Sequence, residues 1–365
     1  MKIAQVSPLF ESVPPKLYGG TERVVSFLTD TLVDMGHDVT LFASGDSITK
    51  AKLQCVTPNA LRLAGIRDPF SLHTLQLQQV IEMADEFDII HFHTDYFHFP
   101  VSRLSTYNHV TTLHGRLDLP ELAPLYAQFD DIPLVSISMA QRIPVSFANW
   151  VGNVYHGVPG ALLKPGDGKG GYAVFIGRFS PEKGVDQAIE IAARAGLKIK
   201  IAAKVDPADH EYYEGNIKPL LNLPHVEYLG EVNEEQKQEL LANALVFLLP
   251  IAWPEPFGMV MIESLACGTP VVAYGLGSVP EVLENGKTGF VVHDIERAVH
   301  AVARIDQISR DYCRQTFEER FEARRMAIEY VEIYEKIIRE DKQIRLPAAS
   351  NEKTVFNEYK NILSA

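Results

Sequence analysis

The sequence has little cysteine and lacks long apolar runs. Its three cysteines, Cys55, Cys267 and Cys313, stand far apart and form no Cys-x-x-Cys pair. This spacing excludes zinc-finger and dithiol redox motifs and is typical of a reducing cytoplasm. No window of about 18 apolar residues and no apolar signal-peptide core occurs. We therefore expect a cytoplasmic protein without a membrane-spanning helix.

The sequence also has fewer basic than acidic residues. Asp and Glu number 47 against 34 Lys and Arg, and the formal net charge is -13. Such a balance repels nucleic acid and anionic lipid over most of the surface, so nucleic acid is not expected as a partner. A local basic patch can still bind a phosphate or contact a membrane peripherally, because net charge says nothing about distribution. With 365 residues, the chain has the length of two domains.

Short β-branched runs alternate with amphipathic stretches along the whole chain, which predicts βαβ units on parallel sheets. The first helix is predicted from Thr21 to Met35, with Thr21 as its N-cap, Gly36 just after its end and Glu22 on its solvent side. A second series of strands follows a glycine-rich stretch that we interpret as a linker. It includes a helix near Ala208 to Leu221.

Three regions follow from this pattern. We predict a Rossmann-like N-terminal domain over residues 1–165 and a second Rossmann-like domain over residues 166–318. Residues 319–365 are predicted as C-terminal helices packing back across the domains. The charged, periodic stretch from Ser309 to Glu340 indicates one or two amphipathic helices that need a surface to cover. A short helix is also expected near Val355 to Ile362.

Loops after strands are where ligands bind in open α/β sheets, and two such loops carry features suited to phosphate. Gly19-Gly20 precedes the first helix, where the backbone can approach an anion, although for a lone Gly-Gly pair a plain flexible turn is the favoured explanation. It is not a Gly-x-Gly-x-x-Gly fingerprint, so a nicotinamide cofactor is not expected. Arg178 and Lys183 bracket the loop before another helix and suit a diphosphate.

The segment WPEPFGMVMIE places Glu255 before a predicted helix and Glu263 inside it. The helix is expected to start near Gly258, so the amides of residues 257–260 lie at an open N-terminus. The two carboxylates therefore suit two separate hydroxyl donors. An acid and base pair of a hydrolase is the alternative, and it depends on a separation that spacing does not give.

Histidines near strand ends form a further candidate group. His114 ends the run VTTLHG, and a structural role is as reasonable as a ligand role for a single histidine. His91, His93 and Asp95 alternate along a strand and resemble metal ligands in spacing. Core and pocket-lining positions are favoured over a metal site, because no further carboxylate cluster stands nearby.

Taken together, these motifs resemble the retaining glycosyltransferases of family four. GGTERVV, TLHG, VYHGVP, IGRFSPEKG, EPFGMVMIE, ACGTPVVA and NGKTGFVV occur in the order found in that family. The resemblance implies a GT-B fold, in which two Rossmann-like, doubly wound parallel-sheet domains face a cleft and a C-terminal helix crosses back to the N-terminal domain. It implies transfer of a hexosyl unit from a nucleotide diphosphate sugar, with no cofactor and no metal ion.

The resemblance also assigns roles to matching residues. Arg178 and Lys183 would hold the diphosphate and neutralise its growing charge, and Gly19 and Gly20 would close on it from the other domain. His114 would reach the donor sugar near the reacting carbon.

The remaining donor contacts follow the same resemblance. Glu263 would bind the ribose, and Lys204, Val205 and Tyr228 would lie near the base. Glu255 would bind the sugar hydroxyls together with a run of four residues, namely Phe257, Gly258, Met259 and Val260.

The substrates stay open at this stage. A UDP-sugar is favoured as donor, and the acceptor is a small molecule, a glycan or a lipid. Asp95, Tyr96 and His98 are the candidate acceptor-binding residues, although their loop matches no acceptor signature. The alternatives are a sugar-nucleotide epimerase of GT-B fold, a phosphorylase, and a non-catalytic protein that binds nucleotide sugars.

Overall fold

Two parallel β-sheets form the framework of the protein, seen in a computed structural model that describes residues 1–16, 19–62 and 64–344. The helix expected near Val355 to Ile362 lies outside these residues. The first sheet contains β1 Lys2–Val6, β2 Asp38–Phe42, β3 Lys52–Gln54, β4 Ile89–Phe92, β5 His109–Thr112, β6 Leu134–Ser136 and β7 Trp150–Asn153. The second contains β8 Tyr172–Arg178, β9 Lys198–Lys204, β10 Val226–Gly230, β11 Val246–Leu249, β12 Val271–Tyr274 and β13 Gly289–Val292.

Helices cover the faces of both sheets. In chain order they are α1 Gly20–Asp34, α2 Pro69–Glu82, α3 Phe99–Ser102, α4 Leu122–Gln128, α5 Val185–Arg194, α6 His210–Tyr212, α7 Glu234–Asn243, α8 Met259–Ala266, α9 Val279–Val282, α10 Ile295–Val302, α11 Arg310–Arg320 and α12 Ala323–Ile344. Strands with nearly continuous buried runs, such as β4 and β11, require this cover on both faces.

Both sheets are doubly wound. The first has the order β3-β2-β1-β4-β5-β6-β7 and the second the order β10-β9-β8-β11-β12-β13, with parallel pairing throughout. The chain reverses direction across the sheet beside β1 and beside β8, which creates a crevice at the carboxyl ends of these strands. The predicted fold of two facing Rossmann-like domains is confirmed.

The last helix returns to the first domain. Met326, Tyr330 and Tyr334 of α12 are fully buried in a core shared with α1 and the first sheet. The preceding helix α11 instead contributes Cys313 and Phe317 to the core of the second domain. The predicted crossing of the C-terminal helix is therefore confirmed, and α11 and α12 join the domains.

The start of α1 differs from the prediction. The helix begins at Gly20 with Gly19 as its N-cap, so Thr21 is not the cap. A side chain at position 19 would place its Cβ 2.8 Å from the Cβ of Pro15, which leaves room only for glycine. Glu22 is also buried rather than solvent-facing, and burial raises the pKa of its carboxyl to about 7.

The glycine-rich stretch before β8 is not a flexible linker. Gly166 and Gly170 donate backbone hydrogen bonds to Cys267 and Asn243 of the second domain, at 3.1 and 2.9 Å. A Cβ at Gly166 would lie 2.2 Å from the carbonyl oxygen of Ala242. The glycines allow close packing here, which the composition alone did not distinguish from flexibility.

One predicted helix is broken. Residues 208–221 form short 3₁₀, α and π turns instead of one regular helix. Gly215 weakens the helix in its middle and Pro219 cannot continue it, which accounts for the interruption. Across the described residues, no helix has both the length and the apolar character to cross a bilayer.

Candidate active site

A cavity of about 410 Å³ lies between the carboxyl edges of the two sheets. It collects residues from loops after β1, β5, β8, β9 and β11, which are far apart in the sequence. The predicted residues that line it are Gly19, Gly20, His114, Arg178, Lys183, Lys204, Glu255, Phe257, Gly258, Met259, Val260 and Glu263. The structure therefore brings most of the candidate residues into one place. Val205 and Tyr228 do not line this cavity.

Lys183 and Glu255 form the centre of the cavity wall in the second domain. The Lys183 ammonium lies 2.5 Å from Oε2 of Glu255, and the indole N–H of Trp253 donates to the same oxygen at 2.9 Å. The ammonium also lies 5.2 Å from the centre of the Trp253 ring. These contacts hold two charged side chains, both mostly buried, in fixed positions.

Arg178 adds a second cation at the end of β8. Its guanidinium Nε lies 3.4 Å from Oδ2 of Asp209, and its side chain is 36% exposed. Lys204, at the end of the neighbouring strand β9, also lines the cavity. Five basic and four acidic side chains line the cavity, whereas the whole protein has a net charge of -13, so the cavity is the more suitable place for an anion such as a diphosphate.

Two helix N-termini face this cluster. Gly258 takes a left-handed conformation with φ 77° and caps α8, whose first residues Met259 and Val260 line the cavity. On the opposite side, Gly19 caps α1 and Gly20 is the first residue of that helix. Neither helix has a side-chain cap, so backbone N–H groups are left for ligand oxygens.

An ion-pair chain links Glu263 to the first domain. Lys237 of α7 lies 2.6 Å from Glu263 and 3.0 Å from Glu234, and Glu234 is 2.7 Å from Arg23 of α1. Sequence reasoning missed Lys237 and Arg23. Their helical positions gave no signal, because ordinary surface charges at helix positions have the same pattern.

His114 is half-buried and lies against two other histidines. Its Nε2 is 2.8 Å from Nδ1 of His93, and its ring stacks on His156 at a centroid distance of 5.2 Å. Burial lowers the pKa of His114 to about 3, so the imidazole is neutral. Nδ1 of His114 has no hydrogen-bond partner within the described protein. His156 was also missed, although the motif VYHGVP contains it.

The candidate acceptor residues do not form a site together. His98 is fully buried and both ring nitrogens are paired, with Ser102 at 2.7 Å and Thr111 at 2.8 Å. This contradicts an acceptor role for His98, because its imidazole has no free face in the core. Asp95 and Tyr96 are exposed and lie outside the cavity lining, so their role stays a prediction.

His91 and His93 occupy core positions, as the favoured interpretation had it. Both are almost completely buried and hydrogen-bonded to protein groups. Within residues 1–16, 19–62 and 64–344, no group of three or more His, Cys, Asp or Glu side chains is arranged to hold a metal ion. Independence from metal ions stays a prediction.

Two facing Rossmann-like domains with a cavity between them define a GT-B architecture. Two family models match the chain, "Glycosyl transferases group 1" over residues 164–331 and "Glycosyltransferase Family 4" over residues 18–143. Together they cover most of its length. The chain belongs to the family 4 glycosyltransferases of GT-B fold.

Individual relatives are more distant. The chain is 32% identical over 140 residues to the alpha-maltose-1-phosphate synthase of Mycobacterium tuberculosis, a match that covers 36% of either protein. It is 25% identical over 342 residues to the uncharacterized glycosyltransferase MJ1607 of Methanocaldococcus jannaschii, which covers 80% of this chain and 85% of that one. The chain thus spans only about a third of the synthase that it matches.

A solved structure extends the likeness in fold. The Anabaena protein HepE, crystallised with UDP and glucose, superposes with a TM-score of 0.72 at 20% identity. The match covers 92% of this chain and 100% of HepE. At this identity the similarity shows the shared fold.

Proposed function

We propose that this protein is a retaining glycosyltransferase that moves a hexosyl unit from a nucleotide diphosphate sugar to an acceptor hydroxyl. The observation that carries the proposal is the convergence in one cavity of two cations, Arg178 and Lys183, with two carboxylates, Glu255 and Glu263. Cations suit a diphosphate, and carboxylates suit the hydroxyls of a ribose and a sugar. A UDP-sugar is the favoured donor, in line with the UDP bound to HepE.

The cations would act on the leaving group. When the bond between the anomeric carbon and the diphosphate oxygen breaks, negative charge grows on the diphosphate and positive charge on the sugar ring. Lys183, which Glu255 holds in place, and Arg178, which lies 3.4 Å from Asp209, would stabilise this charge on the diphosphate. This would supply the charge neutralisation that a metal ion provides in other transferases.

The sugar would lie between Glu255 and His114. Glu255 already accepts hydrogen bonds on Oε2 from Lys183 and Trp253, so its other oxygen is the one offered to a hydroxyl. His114, which is neutral, suits a hydrogen bond rather than proton transfer. The proton of the acceptor hydroxyl would then pass to the departing diphosphate oxygen, and attack from that same face retains the anomeric configuration.

Removal of the Lys183 ammonium tests the proposal. We expect Lys183→Ala to reduce UDP release from UDP-glucose by at least about 100-fold, because a charge that stabilises the leaving diphosphate is lost. UDP can be quantified by a coupled assay with and without candidate acceptors. Lys218→Ala is the matched control, because Lys218 is an exposed lysine paired with Glu214 and does not line the cavity.

Two results would contradict the proposal. Full activity of Lys183→Ala would refute the diphosphate assignment. Loss of activity in Lys218→Ala as well would show that lysine removal acts through the fold and not through the cavity. Circular dichroism spectra of both variants should match that of the wild type.

A further inference from the structure

A continuous chain of buried hydrogen bonds leads from the cavity into the first domain. It starts at His114, whose Nε2 lies 2.8 Å from Nδ1 of His93. Nε2 of His93 lies 2.8 Å from Oε1 of Gln5, on β1. The amide nitrogen of Gln5 donates to the hydroxyl of Tyr334 at 3.1 Å. Four side chains thus connect the cavity with α12.

The chain continues beyond Tyr334. The Tyr334 hydroxyl is 2.7 Å from Nδ1 of His91, and Nε2 of His91 is 2.7 Å from Oγ1 of Thr112. The Thr112 hydroxyl is in turn 2.8 Å from that of Tyr330. Every member after His114 is almost completely buried, so water does not compete for these bonds.

The amide of Gln5 gives this chain a direction. Its Oε1 is only an acceptor, so Nε2 of His93 must carry the proton that it shares with Gln5. Burial lowers the pKa of His93 well below its ordinary value, so the ring is neutral and its Nδ1 is an acceptor. His114 therefore donates through Nε2, and its Nδ1 is left with a lone pair.

The Tyr334 hydroxyl joins the amide of Gln5 to His91. The Gln5 amide nitrogen needs an acceptor, which the Tyr334 oxygen supplies, while the single Tyr334 proton is then donated to Nδ1 of His91. If the Gln5 amide turned over, every bond between Tyr334 and His114 would reverse, and Nδ1 of His114 would carry a proton.

We propose that Gln5 and Tyr334 are positioning residues that keep His114 in the Nε2–H form, so that its Nδ1 accepts a hydrogen bond from a hydroxyl of the transferred sugar. The inference rests on the proposed function, because that function places the sugar against His114. Nδ1 of His114 is a buried acceptor without a protein partner, and His114 lines the cavity. The site then favours sugars that present a hydroxyl donor at this point.

The tautomer of His114 can be observed directly. Long-range ¹H–¹⁵N spectra of the full-length protein labelled with ¹⁵N-histidine distinguish the two neutral forms, and His114→Gln identifies the signals. We expect the Nε2–H form in the wild type. In Tyr334→Phe, which keeps the ring but removes the hydroxyl, we expect His114 to shift at least in part to the Nδ1–H form.

Tyr312→Phe is the matched control. It removes the same group from a tyrosine of α11, whose hydroxyl pairs with Glu284 and has no part in this chain, so His114 should keep the Nε2–H form. Gln5→Leu breaks the chain at β1 and should shift His114 toward the Nδ1–H form, as Tyr334→Phe does. This second variant tests the proposal if Tyr334→Phe folds poorly. An Nδ1–H wild type, or an unchanged His114 in both chain-breaking variants, would overturn the proposal.

Binding measurements separate this inference from the proposed function. Tyr334→Phe should weaken UDP-glucose about tenfold in calorimetric titrations, the effect of one hydrogen bond, and leave UDP binding unchanged. An equal change for both ligands would overturn the contact between Nδ1 and the sugar. If the wild type binds neither ligand, the proposed function fails, whereas the tautomer measurement still decides the positioning role.

Discussion

At the scale of single residues, the two glutamates of WPEPFGMVMIE lie in different surroundings. Glu255 lies before α8 and is held by Lys183 and Trp253. Glu263 lies inside α8 and pairs with Lys237. Each carboxylate therefore keeps a cation beside it, and the two cations belong to different parts of the second domain. We infer that they bind different parts of one ligand.

Amide substitutions should separate their roles. Glu255→Gln should reduce sugar transfer about 100-fold with little change in UDP affinity, because one charge-assisted hydrogen bond to the sugar is lost. Glu263→Gln should instead weaken UDP itself by about tenfold or more, because the ribose contact is lost. Calorimetric titration with UDP, together with rates of UDP release from UDP-glucose, measures both effects.

Each variant is the control for the other, since both remove one buried charge beside a lysine. Identical losses of UDP affinity in the two variants would show that the carboxylates do not serve separate ligand groups. The assignment of ribose and sugar would then be wrong.

Sequence reasoning found these residues because they lie on single loops with local motifs. Arg178 and Lys183 bracket one turn, and Glu255 and Glu263 flank one helix start, so spacing along the chain carries the information. Lys237 meets Glu263 only because α7 packs beside α8. Contacts of this kind depend on tertiary packing, which spacing along the chain does not encode.

At the scale of elements, the loop after β12 supports the loop that carries Glu255. Ser278 donates its backbone N–H to the carbonyl of Glu255 at 2.9 Å and its hydroxyl to that of Phe257 at 2.8 Å. Gly277 lies against the same segment, and a Cβ there would be 2.4 Å from the backbone N and O of Glu255. The position of Glu255 therefore depends on a neighbouring loop.

Gly277→Ala should disturb both stability and activity. The residue has φ +58°, which disfavours any side chain, and the added methyl group would push the Glu255 backbone away. We expect a loss of about 1–3 kcal/mol in the free energy of unfolding, measured by urea titration, together with a loss of transfer activity.

Gly286→Ala is a suitable comparison. Gly286 also has a positive φ, +78°, but no atom lies within 4 Å of a Cβ built there. In Gly286→Ala, the free energy of unfolding should fall only through backbone strain, and the transfer activity should be kept. Equal activity in the two variants would contradict a supporting role for the loop after β12.

The sequence pattern predicted most elements but not their interruptions. Alternation of apolar runs and amphipathic stretches identified the doubly wound sheets, because that pattern reports burial directly. This pattern did not predict the broken stretch at residues 208–221 or the close packing of Gly166 and Gly170. Glycine has the same signature in a flexible loop and in a tight backbone contact, and only neighbouring atoms distinguish them.

At the scale of the whole molecule, buried histidines make stability depend on pH. Burial lowers the pKa most strongly in five of them: His91, His93, His98, His114 and His156. The folded protein keeps these rings neutral, whereas the unfolded chain protonates them below about pH 6.5. Stability therefore falls as the pH drops through that value, by up to about 1.4 kcal/mol per pH unit for each histidine.

Urea titrations at about pH 7 and about pH 5.5 should show this decrease in the free energy of unfolding. Glu22 acts in the opposite direction, because its folded pKa of about 7 lets the native state take up a proton in the same range. One such carboxyl offsets one histidine, so the net decrease should remain several kcal/mol. Stability that is constant or higher at about pH 5.5 would contradict the burial of these neutral histidines.

The two domains are joined at several points around the cavity. Glu281 of α9 accepts the backbone N–H groups of Met139 and Ala140 at 2.8 and 2.7 Å, and Ser138 donates to the carbonyl of Pro256 at 2.6 Å. Arg23 and Glu234 form a further pair across the cleft. A ligand in the cavity touches both domains and should therefore stabilise the whole molecule.

Thermal unfolding in the presence of nucleotide sugars tests the central claim most directly. Wild type and Lys183→Ala would be melted with UDP, GDP and ADP sugars in turn. A ligand at 100 times its dissociation constant adds about 2.7 kcal/mol, which raises Tm by a few degrees in a protein of this size. We predict such a rise for at least one sugar nucleotide, most strongly a UDP-sugar, with the wild type and not with Lys183→Ala. No rise with any of them, or an equal rise in the variant, would contradict the account of the cavity as a nucleotide sugar site.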